Sequence, residues 1–359
     1  MQRGQERGDD RNASMRALVY EAPRTLRVRD VPAPEPAPGE VIVRVAYSGI
    51  CGSELSGYLG QNELRRPPLI FGHEFSGWVA EVGHGVEGRF SPGQPVTVNP
   101  LIGCQECRLC LSGRPHLCPR RRLLSASLPG SNAELVAAPA SAVYPLPPGM
   151  PLDRAALTEP TACAIRAVRQ AHPLPGQTVL VVGMGPLGLL MLQVLRVYGV
   201  ERLIAVERNP HRLRYAEEMG AVGIVPSGDV AQQVRERLGE EGPAIAIDAV
   251  GSTATRRLCL ESVEPGGRVV FFGLHEPESS LQVNAIVRRE IECVGSFAYT
   301  PEDFATALRW LHQGKVSLPG RTVTAPLEDG AIWFERLLEC QDDVVKVFLQ
   351  PSPDADRAL

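Results

Sequence analysis

Apolar residues are scarce at the start of the sequence. Its opening, MQRGQERGDDRNAS, is polar and charged, so no secretory signal is read there, and Met15 stands as an alternative start. It also lacks an excess of either charge: 37 basic residues face 41 acidic ones, a net of −4. That balance offers no polycationic field to nucleic acid and no particular attraction to an anionic membrane. An uninterrupted apolar span is missing too. The longest candidate, VLVVGMGPLGLLMLQVLRVYGV at 179–200, carries Gly-Met-Gly-Pro near its start and Arg196 in its second half. A buried strand, a tight turn and a core-facing helix explain it better than a bilayer crossing. Internal repeats and low-complexity segments are absent. Without an export signal, the nine cysteines are expected in a reducing, cytoplasmic setting.

Four of those cysteines crowd into GCQECRLCLSGRPHLC, residues 103–118. Cys104, Cys107, Cys110 and Cys118 follow a C-x2-C-x2-C-x7-C spacing, which in a reducing compartment reads as a metal site. Four thiolates around one ion is the tetrahedral pattern of structural zinc. Iron–sulfur ligation is the alternative, because the loop ends Cys118-Pro119 as ferredoxin runs do. The fourth cysteine is displaced from that pattern, however, and no second run accompanies it. With every position filled by protein, such a site has no vacancy for a substrate.

At 359 residues the chain exceeds the size of one hydrophobic core, so two domains are expected. Met15 to about Pro145 reads as short strands broken by many of the 35 glycines and 32 prolines, the pattern of a compact β-rich domain. From TACAIRAVRQA onward, helices and strands alternate, with strands at TVLVVG, RLIAVE, AVGIVP, AIAIDAVG, RVVFFGL and IECVGSF. Six strands with intervening helices make a doubly wound parallel sheet. Two helical patterns and a final strand, VVKVFLQ, close the chain.

Within that sheet, VVGMGPLG sets Gly183, Gly185 and Gly188 in G-x-G-x-x-G spacing, with Pro186 and Leu187 opening the helix between the last two. After a strand and before a helix, this is a dinucleotide-binding turn. The first glycine allows the turn, the second admits a pyrophosphate, and the third permits close packing. Glu207 ends the next strand, where an acidic side chain accepts hydrogen bonds from the adenosine ribose and favours NAD. Arg208 beside it could instead partner the 2′-phosphate of NADP.

Two further segments hold metal-ligand residues. GICGSE presents Cys51, and GHEFSG presents His73 and Glu74, while TEP adds Glu159 at the start of a helix. Cys, His and one carboxylate leave a fourth position open, the arrangement of catalytic zinc. Each residue alone has a blander reading, as a buried filler or a satisfied loop histidine. Beside a dinucleotide fold and a zinc loop, the combination points to catalysis.

The segment GHEFSGWVAEVGHGV follows a G-H-E-x-x-G-x5-G-x2-V signature through Gly72, His73, Glu74, Gly77, Gly83 and Val86. With it, the chain resembles the zinc-dependent medium-chain alcohol and polyol dehydrogenases from Met15 to its end. The resemblance implies an α/β protein with a GroES-like β-rich catalytic domain over 15–165 and 299–359, after a disordered tail at 1–14. A Rossmann domain of six parallel strands over 166–298 would bind the cofactor. It implies two zinc ions per chain, NAD rather than NADP, and a homodimer or homotetramer acting on a small alcohol or ketone. Cys51, His73 and Glu159 would hold the catalytic zinc or its water, with Glu74 exchanging onto the metal and Cys163 a runner-up ligand. Ser53 would pass on the substrate proton. Arg212 would join Glu207 at the ribose, Lys346 would meet the pyrophosphate, and Leu274 and Phe297 would line the nicotinamide pocket.

Two positions depart from the family pattern. Glu54 replaces an aspartate, one methylene longer and still able to orient His73. Ser56 replaces a histidine, which leaves the usual proton exit to water or to the ribose 2′-hydroxyl. Arg65 and Arg66 read as a solvated face, with contact to a substrate phosphate as the alternative. The expected activity is hydride transfer between NAD and a secondary alcohol of a polyol, a sugar alcohol or its phosphate. An NADP-dependent aldehyde or ketone reductase is the rival, and a non-catalytic zinc-stabilised dinucleotide sensor a more distant one.

Overall fold

Strand and helix signals in the sequence map onto two large sheets, of seven and six strands, and two small ones among the described residues. A computed structural model describes residues 13–238, 242–340 and 343–352. Residues 1–12 of the expected tail lie outside the described residues, but its last two do not behave as a tail. Ser14 opens a strand, and the Ala13 carbonyl accepts a hydrogen bond from Ala33 N–H at 2.9 Å.

The N-terminal half comprises β1 (Ser14–Ala22), β2 (Thr25–Pro32), β3 (Glu40–Gly49), α1 (Gly52–Tyr58), β4 (Leu69–Ile70), β5 (Glu74–Val82), β6 (Pro95–Val98), β7 (Leu101–Ile102), α2 (Arg108–Leu111), β8 (Arg122–Leu123), β9 (Leu135–Pro139) and β10 (Val143–Pro145). A short helix, α3 (Leu152–Ala155), and a long one, α4 (Thr158–Ala171), lead into β11 (Thr178–Val182), α5 (Pro186–Val197), β12 (Arg202–Val206), α6 (Pro210–Glu218), β13 (Val222–Ile224), α7 (Val230–Leu238), β14 (Ile245–Asp248), α8 (Thr253–Ser262), β15 (Arg268–Phe271), α9 (Val283–Arg288) and β16 (Glu292–Gly295). The chain closes with α10 (Pro301–His312), β17 (Arg321–Pro326), α11 (Gly330–Glu339) and β18 (Val344–Gln350).

The parallel sheet runs β13-β12-β11-β14-β15-β16, so the strand order reverses between β11 and β14. A ligand in such a sheet lies beyond the carboxyl ends of the strands at that reversal. Every residue of β11 is buried, as a strand covered by helices on both faces must be. The β-rich half builds a seven-stranded sheet in the order β10-β6-β5-β3-β18-β17, with β9 also on β3. There β18 returns from the end of the chain to pair antiparallel with β3 and parallel with β17. The apolar span at 179–200 divides into β11, the glycine turn and α5. Among the described residues, no helix is long and apolar enough to cross a membrane.

Just after the boundary expected at residue 299, α10 packs against both halves. Along one apolar face of α10, Phe304 and Ala307 share a core with α4, α5 and β11, while Leu308 and Leu311 pack with Leu146, Met150 and Phe348. This helix is common to both halves, and the return to the β-rich sheet is made by β17 and β18. The sequence reading did not foresee β17, whose six residues are mostly exposed.

Three signature glycines are required because other backbone occupies the space of a side chain. A Cβ on Gly77 would sit 2.0 Å from the Arg44 carbonyl oxygen, and one on Gly83 would sit 2.3 Å from that of Ala37. Gly72 has φ +103° and would place a Cβ 2.5 Å from Asn132 N. Gly77→Ala is therefore expected to force β3 and β5 apart and destabilise the fold by about 1–3 kcal/mol, read as a lower urea midpoint.

Candidate active site

Cys51 sits at the start of α1, where the chain leaves β3, and His73 and Glu74 sit at the start of β5. Since β3 and β5 pair directly, Gly49 lies opposite Glu74 and the three ligand residues converge. One ligand atom from each of Cys51, His73 and Glu74 lies within 4.8 Å of the others. His73 and Glu74 are buried and Cys51 is half-buried, so the sulfur marks the open side.

Glu54, fully buried one helical turn beyond Cys51, organises this set. Its Oε1 accepts from Gly72 N–H at 2.8 Å, from the Ser125 hydroxyl at 2.8 Å and from His73 Nδ1 at 2.6 Å. Its Oε2 accepts from Cys51 N–H at 3.3 Å. Burial opposes the carboxylate's charge, but His73, Arg65 and the Ser125 hydroxyl outweigh it and hold Glu54 at about 2. An ionised Glu54 makes Nδ1 the protonated nitrogen of His73, which leaves Nε2 free as a metal ligand. The donor set of thiol, imidazole and carboxylate fits zinc.

Glu159, at the start of α4, lies outside the 4.8 Å trio. Burial and the charge of Glu74 raise its carboxyl to about 7, with His73 and Lys346 pulling the other way. Cys163, one turn further along α4, donates its thiol to Glu159 Oε1 at 3.6 Å and is not part of the trio. Lys346 on β18 is 2% exposed, donates to the Ile50 carbonyl at 2.9 Å and ion-pairs with Glu74. The pyrophosphate role expected for this ammonium is thus not its position here: it is buried behind the metal ligands. A Cβ on Gly49 would fall 2.7 Å from Lys346 Cε and 2.9 Å from Glu74 Oε2.

Ser53 Oγ donates to Cys51 Sγ at 3.3 Å and accepts from Arg65 Nη2 at 3.1 Å. The arginine pair read as a solvated face is split. Arg66 is exposed and bonds the Glu63 carbonyl, whereas Arg65 is 4% exposed and turned toward the active site. Space for it comes from Gly57, where a Cβ would meet Arg65 Cδ at 2.6 Å. Adjacent identical residues gave no sequence signal for this difference. Ser56 Oγ is engaged with the Ser53 carbonyl at 2.9 Å.

The four cysteines of the 103–118 loop also converge. Cys104 and Cys110 sulfurs are 3.9 Å apart, and those of Cys107 and Cys118 are 3.7 Å apart. Sulfurs about 2.3 Å from one tetrahedral ion would be separated by roughly 3.8 Å, so the cage has the size of a zinc site. Backbone N–H groups of Cys107 and Arg120 point at the Cys104 and Cys118 sulfurs, at 3.4 and 3.3 Å, as they do toward thiolates.

At the dinucleotide turn, each glycine has a distinct reason. Gly183 has φ +95°, a Cβ on Gly185 would meet nothing within 4 Å, and one on Gly188 would lie 1.8 Å from the Gly183 carbonyl oxygen. The open space at Gly185, at the N-cap of α5, is where a pyrophosphate fits, with Pro186 and Leu187 forming the first turn. Glu207 accepts from Met184 N–H at 2.7 Å and from Arg208 and Asn209 N–H at 2.7 and 2.8 Å, so its carboxylate is fixed beside that turn. Arg208 is exposed. Arg212 lines a small pocket with Trp333 and Leu337 between α6 and α11, and no ion pair joins it to Glu207 among the described residues. Leu274 is exposed after β15, and Phe297, after β16, lies 5.0 Å beneath the Arg121 guanidinium of the cysteine lobe.

A dinucleotide turn on a parallel sheet, a Cys/His/Glu site beside it and a separate four-cysteine cage define a zinc-dependent dehydrogenase. Residues 37–148 match the alcohol dehydrogenase GroES-like domain family and residues 186–313 the zinc-binding dehydrogenase family. Sorbitol dehydrogenase of Bacillus subtilis (strain 168) is 30% identical over 348 residues, covering 94% of this chain and 98% of that protein. D-arabitol-phosphate dehydrogenase of Enterococcus avium is 31% identical over 332 residues, covering 90% and 94%. An alcohol dehydrogenase (rspB) of E. coli CFT073, solved with the cofactor NADH, superposes with a TM-score of 0.87 at 29% identity over 94% of this chain and all of that one. The chain belongs to the zinc-dependent medium-chain alcohol and polyol dehydrogenase family. It is an oxidoreductase of small molecules that uses zinc and a nicotinamide dinucleotide.

Replacing Glu54 by Gln removes the charge that fixes His73. The variant is expected to lose active-site zinc 10–100-fold more readily, measured as metal retained against a chelator. In zinc-free protein, Glu159 holds its proton to about pH 7 when folded but releases it near 4.5 when unfolded. Folding therefore binds a proton in that window, and stability falls as pH rises through it. Zinc-free Glu159→Gln is expected to lack this component, so its Tm exceeds that of the native chain most clearly at pH 8.

Proposed function

We propose that the chain oxidises a secondary alcohol of a polyol, a sugar alcohol or its phosphate, with NAD as hydride acceptor and two zinc ions per chain. The observation that carries this reading is the Cys51, His73 and Glu74 trio with the Ser53 hydroxyl on its open side. The acidic Glu159 at the entrance to α4, together with the sorbitol and arabitol-phosphate relatives, supports a polyol over a simple alcohol.

When bound, zinc supplies Lewis acidity toward the substrate oxygen, and the nicotinamide supplies the hydride acceptor. Cys51, His73 and either Glu74 or Glu159 would hold the metal, and Glu54 keeps the His73 ring oriented. Ser53 Oγ receives the proton of the substrate hydroxyl. Arg65 cannot accept it onward, and the Ser56 hydroxyl is directed to the Ser53 carbonyl. The proton then leaves from Ser53 through water or the ribose 2′-hydroxyl. The fixed carboxylate of Glu207 supports NAD over NADP, since a 2′-phosphate beside it would meet a like charge. Cys104, Cys107, Cys110 and Cys118 would hold the second zinc and take no part in the reaction.

Purified protein is expected to contain two zinc ions per chain and to form NADH from NAD with a hexitol or a hexitol phosphate, and more slowly from NADP. Cys51→Ala should retain one zinc and fall to the background rate. Undiminished NAD-linked oxidation by chelator-treated Cys51→Ala protein would overturn the assignment.

A further inference from the structure

Arg65 presents a buried charge whose electrostatic partner in the protein, Glu54, makes no direct ion pair with it. Its side chain is packed against α1 over Gly57, it is 4% exposed, and its Nε is buried without a hydrogen-bond partner. No carboxylate among the described residues forms an ion pair with it. The nearest carboxylate whose charge it influences is Glu54, and both Glu54 oxygens are already occupied by His73, Gly72, Ser125 and Cys51. A guanidinium held this way is costly unless a counter-ion completes it.

Its one side-chain bond shows where that counter-ion would lie. Nη2 donates to Ser53 Oγ, and Ser53 Oγ donates to Cys51 Sγ, so the guanidinium stands two hydrogen bonds from the metal-ligand sulfur. Ser53 and Cys51 are half-buried and face the open side of the site. A substrate whose hydroxyl reacts beside Ser53 would carry its neighbouring carbons past Arg65. The planar fork of a guanidinium matches a carboxylate or a phosphate and gains little from a neutral hydroxyl.

We propose that Arg65 is a specificity-determining residue that selects substrates bearing an oxyanion, a carboxylate or a phosphate, within a few carbons of the reacting hydroxyl. This rests on the dehydrogenase reading above and narrows its substrate class from polyols in general to sugar acids or sugar-alcohol phosphates.

The test uses zinc-loaded protein and matched sets of hexitol, hexonate and hexitol phosphate that share configuration and differ in charge. Native protein is expected to have the higher kcat/KM for an anionic member, and which one separates carboxylate from phosphate. In Arg65→Gln, the ratio of anionic to neutral kcat/KM should fall by roughly 10–100-fold, chiefly through KM, with partial recovery in Arg65→Lys. Arg66→Gln, at the exposed neighbour, should leave the ratio unchanged. An equal loss on charged and neutral substrates would overturn the proposal and reduce Arg65 to a support for Ser53. A second readout is calorimetric titration of the NADH complex with inorganic phosphate, which native protein should bind and Arg65→Gln should not. Failure of the native complex to bind phosphate would overturn the proposal even if every polyol is oxidised. If no polyol or charged analogue is oxidised, the polyol reading fails while the titration still decides Arg65. Should Arg65→Gln not fold, an unaltered substrate ratio and phosphate affinity in Arg65→Lys would be the overturning result.

Discussion

A carboxylate with no access to water must find all its donors in the protein, and Glu54 does so by drawing together three separate segments. It takes hydrogen bonds from the start of α1, from the Gly72–His73 turn before β5 and from Ser125 beyond β8. Those are the segments that must meet if Cys51 and His73 are to face one ion. The cost of burying the charge is thereby turned into geometric definition, because any drift of one segment leaves an unsatisfied ionic oxygen in an apolar surround. The tautomer of His73 follows from the same charge. Elsewhere in the site Lys346 pairs with Glu74, while burial and the charge of Glu74 leave Glu159 reluctant to ionise.

The cysteine lobe has a different role. Its four cysteines leave no open coordination position, yet the lobe touches the nucleotide half at Phe297. Arg121 donates to the carbonyl of Cys118 at 3.1 Å while its guanidinium covers the ring of Phe297. The lobe thus lends rigidity to the side of the site where the nicotinamide is expected, and a metal held by its four cysteines would contribute to function by holding that surface in place.

Much of this was legible in the sequence where backbone geometry dictates the residue. The GHE signature and the glycine turn can be read because a side chain at Gly72, Gly77, Gly183 or Gly188 would collide with backbone or require an unfavourable φ. Cysteine spacing is legible for a similar reason, since four thiolates must reach one point. What stayed hidden was decided by tertiary packing. Nothing local distinguishes Arg65 from Arg66, and only the missing side chain at Gly57 admits the former. The position of Lys346 depends on β18 returning beside β3 from nearly three hundred residues away. The ends of the two domains were blurred because α10 packs two cores at once, a property that amphipathic periodicity does not reveal.

Gly49, Glu74 and Lys346 show how such a site limits its own evolution. The empty volume at Gly49 is the negative image of the ion pair, with no room for even a methyl group. A side chain at position 49 would displace the ends of the lysine and the glutamate, and losing either one alone strands the other as a buried charge. Single steps away from this triplet all descend, and the effects of paired changes will not add. The three positions are therefore expected to behave as one unit, in which the ion pair sets what position 49 can carry.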